Sequence, residues 1–168
     1  MKALIVVDPK QCVGCHTCEL ACAVAHSQSK QLYAAIGEAP LPQSRVCVER
    51  YQSTNLPLQC RHCEDAPCVK VCPTQAMQKE GRGEAVLIEE GRCIGCKWCV
   101  LVCPFGAVTL GQGDKAIVKC DLCAERAAQG QSPACTTACP TGALQFTPVD
   151  QLTHAKRREF AVDFLGSS

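Results

Sequence analysis

The sequence predicts an α+β fold in which short strands and short helices surround cysteine-rich loops. Three observations lead there. Cysteine supplies 17 of the 168 residues, about a tenth of the chain, and all but one of these cysteines sort into four groups of regular spacing. The apolar segments between the groups are a few residues long and are divided by glycine turns, which suits short strands better than long helices. Aromatic residues are scarce, with one Trp, two Tyr and four Phe. A chain of this length fits one compact domain or two very small ones. It would ordinarily fill its core with large side chains, so whatever the cysteines hold must supply part of that filling.

The elements follow in chain order. Ala3 to Val7 is an apolar strand ended by Asp8-Pro9-Lys10. Cys18 to Ser27 lacks proline and is rich in alanine, which predicts a helix that runs on past Cys22. Residues 31–57, with Pro40 and Pro42, form a connector long enough to reach across a module, with a strand over Arg45 to Glu49. Gly81-Arg82-Gly83 lies between Met77 and the apolar segment Ala85 to Ile88, predicting a small hairpin. Gly111-Gln112-Gly113 separates Val108–Leu110 from Ala116–Val118 in the same way. From Thr147 onward, Pro148 precedes a run containing Leu152, Phe160, Val162 and Phe164, with Lys156-Arg157-Arg158 as a basic edge. This run predicts a helix packed on the domain, with docking to a partner enzyme as the alternative.

The first cysteine group is Cys12, Cys15, Cys18 and Cys22, spaced C-x2-C-x2-C-x3-C. The second is Cys60, Cys63, Cys68 and Cys72, spaced C-x2-C-x4-C-x3-C and followed by Pro73. The third, Cys93, Cys96, Cys99 and Cys103, returns to the first spacing and precedes Pro104. The fourth is Cys120, Cys123, Cys135 and Cys139, spaced C-x2-C-x11-C-x3-C before Pro140. Cys47 belongs to none. The groups are internal repeats: Cys-Pro-Thr-Gln-Ala at 72–76, Cys-Pro-Phe-Gly-Ala at 103–107 and Cys-Pro-Thr-Gly-Ala at 139–143 each lead into a short apolar segment. Groups two and three lie close together in sequence, and groups one and four flank them.

The spacing of groups one and three resembles the ligand run of bacterial ferredoxins. Three thiolates spaced two apart lie on a tight loop that can cover three corners of an iron–sulfur cube. Main-chain N–H groups of such a loop point at the cluster sulfurs and offset their negative charge, and Gly14 and Gly95 permit the close approach. The fourth Cys leaves the loop, its proline disfavours helix, and it ligates the cube of a partner group. Sixteen thiolates then complete four 4Fe-4S clusters. Structural zinc is the competing reading, since zinc ribbons use two C-x2-C knuckles separated by a dozen or more residues. Group four alone has that form; groups one and three do not.

Composition and motifs exclude several function classes. Seventeen Lys plus Arg against sixteen Asp plus Glu leave a formal charge of +1, so no basic excess exists to neutralise a nucleic-acid backbone. Sixteen thiolates and four cores of about +2 would take the loaded protein to about −7. No stretch approaches the ~20 apolar residues of a spanning helix, and Ala3 to Val7 is too short for an export signal. The expected location is the cytoplasm, where thiols stay reduced and disulfides are rare. Neither a Gly-rich nucleotide loop, a Ser-His-Asp set nor a pair of catalytic acids stands out.

The whole pattern resembles the four-cluster ferredoxin-type electron-transfer subunits of anaerobic redox enzymes. That family includes the iron–sulfur subunits of dimethyl sulfoxide reductase, formate dehydrogenase and formate hydrogenlyase, and the partner of carbon monoxide dehydrogenase. The match runs from about Ile5 to Leu144, and residues 59–68, Gln-Cys-Arg-His-Cys-Glu-Asp-Ala-Pro-Cys, are similar to the family's second motif. The resemblance implies two ferredoxin-like dicluster modules. An outer one spans residues 1–59 plus 112–168 and pairs groups one and four; an inner one spans 60–111 and pairs groups two and three. It implies one cube on Cys12, Cys15, Cys18 and Cys139 and a second on Cys22, Cys120, Cys123 and Cys135. A third sits on Cys60, Cys63, Cys68 and Cys103, and the last on Cys72, Cys93, Cys96 and Cys99. The implied role is a non-catalytic relay between a catalytic subunit of carbon monoxide dehydrogenase, formate dehydrogenase or hydrogenase type and a second redox protein. A freely diffusing polyferredoxin and a structural zinc scaffold are the alternatives.

Other residues carry less. Arg61, Arg92, Lys97 and Lys119 flank ligands, either as solvated surface charge or as charges that raise cluster potentials. His16 and His62 lie between ligands but are not needed to complete a cube, and His26 and His154 carry no signal. Trp98 is expected to pack over a cluster edge. Cys47, between Val46 and Val48, reads as an inert small residue in a strand.

Overall fold

In the computed structural model, residues 3–112 and 117–166 are described. The chain opens with β1 (Ala3–Val7), α1 (Thr17–Ala25) and the single turn α2 (Leu32–Ala35). A hairpin of β2 (Val46–Tyr51) and β3 (Thr54–Gln59) follows, then α3 (Pro67–Lys70), β4 (Met77–Gln78), β5 (Leu87–Ile88) and α4 (Trp98–Val102). The remainder is β6 (Val108–Leu110), β7 (Ile117–Lys119), α5 (Ala124–Ala128), α6 (Ala134–Thr137), β8 (Leu144–Pro148) and α7 (Val149–Gly166). The strands form four two-stranded antiparallel sheets, and the fold is α+β as expected.

The sheets explain how distant cysteine groups meet. β1 pairs with β8, Val7 opposite Leu144, and the Asp8 N–H donates to the Ala143 carbonyl at 2.8 Å. The start of the chain is thereby fixed beside the segment that follows Cys139. β4 pairs with β5, Met77 opposite Ile88, and β6 with β7, Val108 opposite Lys119. Both hairpins arise where the glycine turns divide apolar runs, although β5 is shorter than Ala85 to Ile88 and Gly113 and Ala116 lie outside the described residues.

The three Cys-Pro repeats share a backbone device. The third residue after each cysteine is left-handed: Gln75 at φ 55°, Gly106 at 59° and Gly142 at 70°. That turn sends the chain back so that the fifth residue starts a strand: Met77, Val108 and Leu144, all buried.

Two apolar cores result. One gathers Ile5, Cys18, Cys22, Val46, Cys120, Cys135 and Leu144, with Cys60 packed against it. The other gathers Ala66, Cys68, Met77, Val86, Cys99, Val108 and Ile117. Ile117 lies in the second core because β7 pairs with β6, whereas Cys120, just beyond β7, lies in the first.

Two expectations need correction. The segment over residues 31–57 is more structured than a connector with one strand, because β3 covers Thr54–Gln59 and pairs along all of β2. The final helix forms, but it does not pack on the domain. Leu152 is partly covered, and the rest of α7 is exposed, including Phe160, Val162 and Phe164 at 68–70 %. Phe160 and Phe164, one turn apart on the same face of α7, stack on each other instead, with ring centroids 5.9 Å apart.

Candidate metal centres

All seventeen cysteines are free thiols, and sixteen gather in four places. Cys12, Cys15, Cys18 and Cys139 line one small cavity closed by Val48 and Pro57 of the β2–β3 hairpin. The loop carrying the first three is preset by Asp8, whose carboxylate accepts from the Lys10 N–H at 3.0 Å and starts a short 3-10 turn at Pro9. Gly14 is left-handed at φ 70°, and a Cβ there would sit 2.8 Å from the Asn55 side chain. Asn55, on β3, donates to the Cys12 carbonyl at 3.4 Å and so braces the loop. Burial pushes the Cys18 thiol up to about 11. Burial also acts to raise Cys139, but hydrogen bonds from Leu144 and Thr141 outweigh it and hold that thiol low. The Thr17 hydroxyl and N–H lower the exposed Cys15.

Cys22, Cys120, Cys123 and Cys135 form the second gathering, and all four are buried. Burial drives Cys135 up most strongly, followed by the mutual repulsion of Cys22, Cys120 and Cys123, and burial pushes Cys120 to about 12. Cys22 is held low against its burial by His26 and by the Arg45 N–H, which donates to its Sγ at 3.2 Å. Asp121 bridges this arrangement. Its carboxylate meets His26 Nε2 at 3.1 Å and the Arg45 guanidinium at 2.7 Å, and accepts from the Cys123 N–H at 2.9 Å. Burial disfavours the Asp121 carboxylate, yet the His26 hydrogen bond and the Arg45 charge hold it well below the usual range.

The third gathering brings Cys60 and Cys103 to Cys68, and Cys63 packs on the same core as Cys68 and Cys103. Cys68 is raised by burial and then by Cys60 and Cys103, which places those thiols beside it. The His62 N–H donates to Cys60 Sγ at 3.4 Å, and Lys79 Nζ donates to the Cys63 carbonyl at 2.9 Å. The fourth comprises Cys72, Cys93, Cys96 and Cys99, lining a cavity with Met77 and Trp98. The Met77 N–H donates to Cys72 Sγ at 3.5 Å. Trp98 therefore lies at the edge of a centre, as expected, while remaining 55 % exposed.

These donor sets fit cubes of iron and sulfide. Three of the places offer four thiols and the third brings three together, with Cys63 on the same core, and main-chain N–H groups point at sulfur in the manner that stabilises a negative cluster. Cys15 and Cys96 are exposed, whereas the second gathering is wholly buried, so the first and fourth places reach the surface.

Several surrounding residues behave differently from their sequence reading. Lys119 is 3 % exposed, unlike Arg61, Arg92 and Lys97, which are exposed. His26, which carried no sequence signal, is tied to Cys22 and Asp121; the four-residue step from Cys22 along α1 was the available clue, because it places both on one helix face. Asn55, Arg45 and Asp121 were likewise missed. Cys47 lies on β2 as expected, but it is exposed, with Sγ 3.4 Å from the Glu49 carboxylate.

Thiols gathered from separate cysteine groups around short hairpins define the class: a cysteine-ligated iron–sulfur protein. Residues 51–149 match the 4Fe-4S dicluster domain, and the protein belongs to that family. It is 44 % identical to an iron-sulfur protein of Rhodospirillum rubrum, over 94 % of this sequence and 90 % of that one. It is 39 % identical to the electron transport protein HydN of Escherichia coli (strain K12), over 98 % of this sequence and 100 % of that one. It is also 37 % identical to a subunit of the anaerobic dimethyl sulfoxide reductase of the same strain, over 87 % and 73 % of the two sequences. The protein is an iron–sulfur electron-transfer subunit that carries 4Fe-4S clusters. No described helix is long and apolar enough to cross a membrane.

Proposed function

We propose that the chain relays single electrons through four 4Fe-4S clusters, held in two dicluster modules and ligated by the quartets named above. A cube with four thiolate ligands exchanges one electron and offers no open iron to a substrate, so the role is read as non-catalytic. The observation that carries this reading is the exchange of fourth ligands. Cys139 stands with Cys12, Cys15 and Cys18, while Cys22 stands with Cys120, Cys123 and Cys135. A zinc ribbon built from group four alone would need Cys139 beside Cys120, which this arrangement disfavours.

The protein's own residues shape the relay. Buried Cys22, Cys120, Cys123 and Cys135 exclude water from an interior centre, which keeps electron exchange within the protein. Exposed Cys15 and Cys96 mark the places where electrons enter and leave. The partners are read as a catalytic subunit of carbon monoxide dehydrogenase, formate dehydrogenase or hydrogenase type on one side and a second redox protein on the other. Relatives named for electron transport and for a reductase support that reading. The compartment is read as cytoplasm, where free thiols persist.

Anaerobic reconstitution tests the count, and about sixteen irons per molecule are expected. Saturation near eight irons with zinc in the remainder would overturn it. Anaerobic isolation from cells tests the assignment as a subunit: a stable complex with a catalytic oxidoreductase supports it, and a protein recovered alone favours a diffusible carrier.

A further inference from the structure

Lys119 is a buried cation that meets no carboxylate among the described residues. It sits on β7 at 3 % exposure. Its Nζ donates to the carbonyl of Val86 and, at 2.7 Å, to the carbonyl of Cys120. Val86 in turn donates its N–H to His62 Nδ1 at 3.0 Å, and His62 lies in the loop between Cys60 and Cys63. An unbroken line of hydrogen bonds thus runs from the group-two loop through Val86 and Lys119 to the backbone of Cys120. His62, Val86 and Lys119 are all buried, and the line joins the two cores.

An ammonium taken out of water costs several kcal/mol unless opposite charge accompanies it. Two carbonyls satisfy two of its three N–H groups but supply no net charge. On the ligation reading above, the centres on either side supply it. Four thiolates around a core of about +2 leave each oxidised cube near −2, and Lys119 is held between the two sets, bonded on one side to the Cys120 carbonyl and on the other to the carbonyl of Val86, which packs in one core with Cys68. Two such anions facing one another repel, and an added electron deepens the repulsion. A cation fixed between them offsets this and favours the reduced form of each.

We infer that Lys119 is the positioning residue for electron passage between the two cores, setting the potentials of the cubes on Cys60, Cys63, Cys68 and Cys103 and on Cys22, Cys120, Cys123 and Cys135. In this passage a single electron crosses, oxidising the donor cube and reducing the acceptor by one unit. No covalent bond forms or breaks, and no proton is required.

The test uses the full-length protein, anaerobically reconstituted, as wild type, Lys119→Met, Lys119→Gln and Lys119→Arg. Each is titrated potentiometrically with paramagnetic resonance spectra recorded at every step, and its iron is counted. In the neutral variants two midpoints fall and two stay; Lys119→Arg keeps all four near their original values. Four unmoved midpoints in a fully loaded neutral variant overturn the inference, as do four that move alike. Loss of iron from both neutral variants marks Lys119 as a folding residue and also overturns it. A wild-type protein that holds fewer than four clusters instead refutes the ligation reading, before any variant is compared.

Discussion

His26 and Asp121 lie 95 residues apart in sequence, and their side chains meet at 3.1 Å. The contact ties the end of α1 to the loop that carries Cys120 and Cys123. Arg45 completes it from the start of β2, so one carboxylate holds three segments around the most buried thiols. Asp121→Ala removes both charged contacts and the acceptor for the Cys123 N–H. Breaking a largely buried pair typically costs about 3–5 kcal/mol; because the Asp121 side chain retains 24 % exposure, a loss of about 2–4 kcal/mol is expected. The readout is the denaturant midpoint for cluster bleaching, and an unchanged midpoint contradicts the assignment.

Gly14 and Gly106 separate two kinds of backbone cost. Both are left-handed, at φ 70° and 59°. A Cβ at Gly14 would strike Asn55, whereas one at Gly106 meets nothing within 4 Å. Alanine at 106 should cost about 1–2 kcal/mol from conformation alone. Gly14→Ala should cost more and lower the iron content, because the loop cannot close on Asn55. Thermal denaturation of the two loaded variants checks this, and equal losses would mean that the Asn55 contact is irrelevant.

The local devices were legible because they are short-range. Short apolar runs divided by glycine turns marked the β4–β5 and β6–β7 hairpins, and an unbroken alanine-rich run marked α1. β3 was not legible because Pro57 lies within it, and proline argues against a strand. Here β2 and β3 form a sheet of only two strands, so no further strand is deprived of the N–H that Pro57 lacks, and its ring packs beside Cys12 and Cys15. The sequence left Lys119 open between surface charge and a charge that raises cluster potentials, because nothing local reveals that it is buried between two cores. The four cysteine groups were visible at once; the bracing by Asn55, Arg45, Asp121 and His26 depends on contacts across the fold and has no spacing signature.

Removal of iron should abolish cooperative folding. Among the largest fully buried side chains are Met77, Val86, Pro57 and Pro133, a modest set for two cores. Cysteines occupy many of the remaining buried positions. Without clusters those positions become poorly filled and the loops lose their closure, so metal binding supplies much of the folding free energy. Anaerobic chelation followed by circular dichroism is the check. A cooperative transition with native-like ellipticity in the iron-free protein would show that the polypeptide folds without its cofactor.

The exchange of fourth ligands makes the sharpest prediction. Cys72 belongs by sequence to the group of Cys60, Cys63 and Cys68, yet it lines the cavity of Cys93, Cys96 and Cys99. The reason is local: the backbone bends after Cys72 through left-handed Gln75, and Met77 N–H turns back onto the Cys72 sulfur at 3.5 Å. Cys103, at the end of α4, stands beside Cys68 in return. Serine is a harder ligand than thiolate and shifts the potential or releases an iron at the cube it serves. Cys72→Ser should therefore alter the centre on Cys93, Cys96 and Cys99 and spare the one on Cys60, Cys63 and Cys68. Cys103→Ser should do the reverse, and Cys139→Ser should alter the centre on Cys12, Cys15 and Cys18. Site-resolved spectroscopy of the reduced variants separates these outcomes. Damage by Cys72→Ser to the centre of its own sequence group would remove the crossed ligation, and the pairing of groups two and three in one module would fall with it.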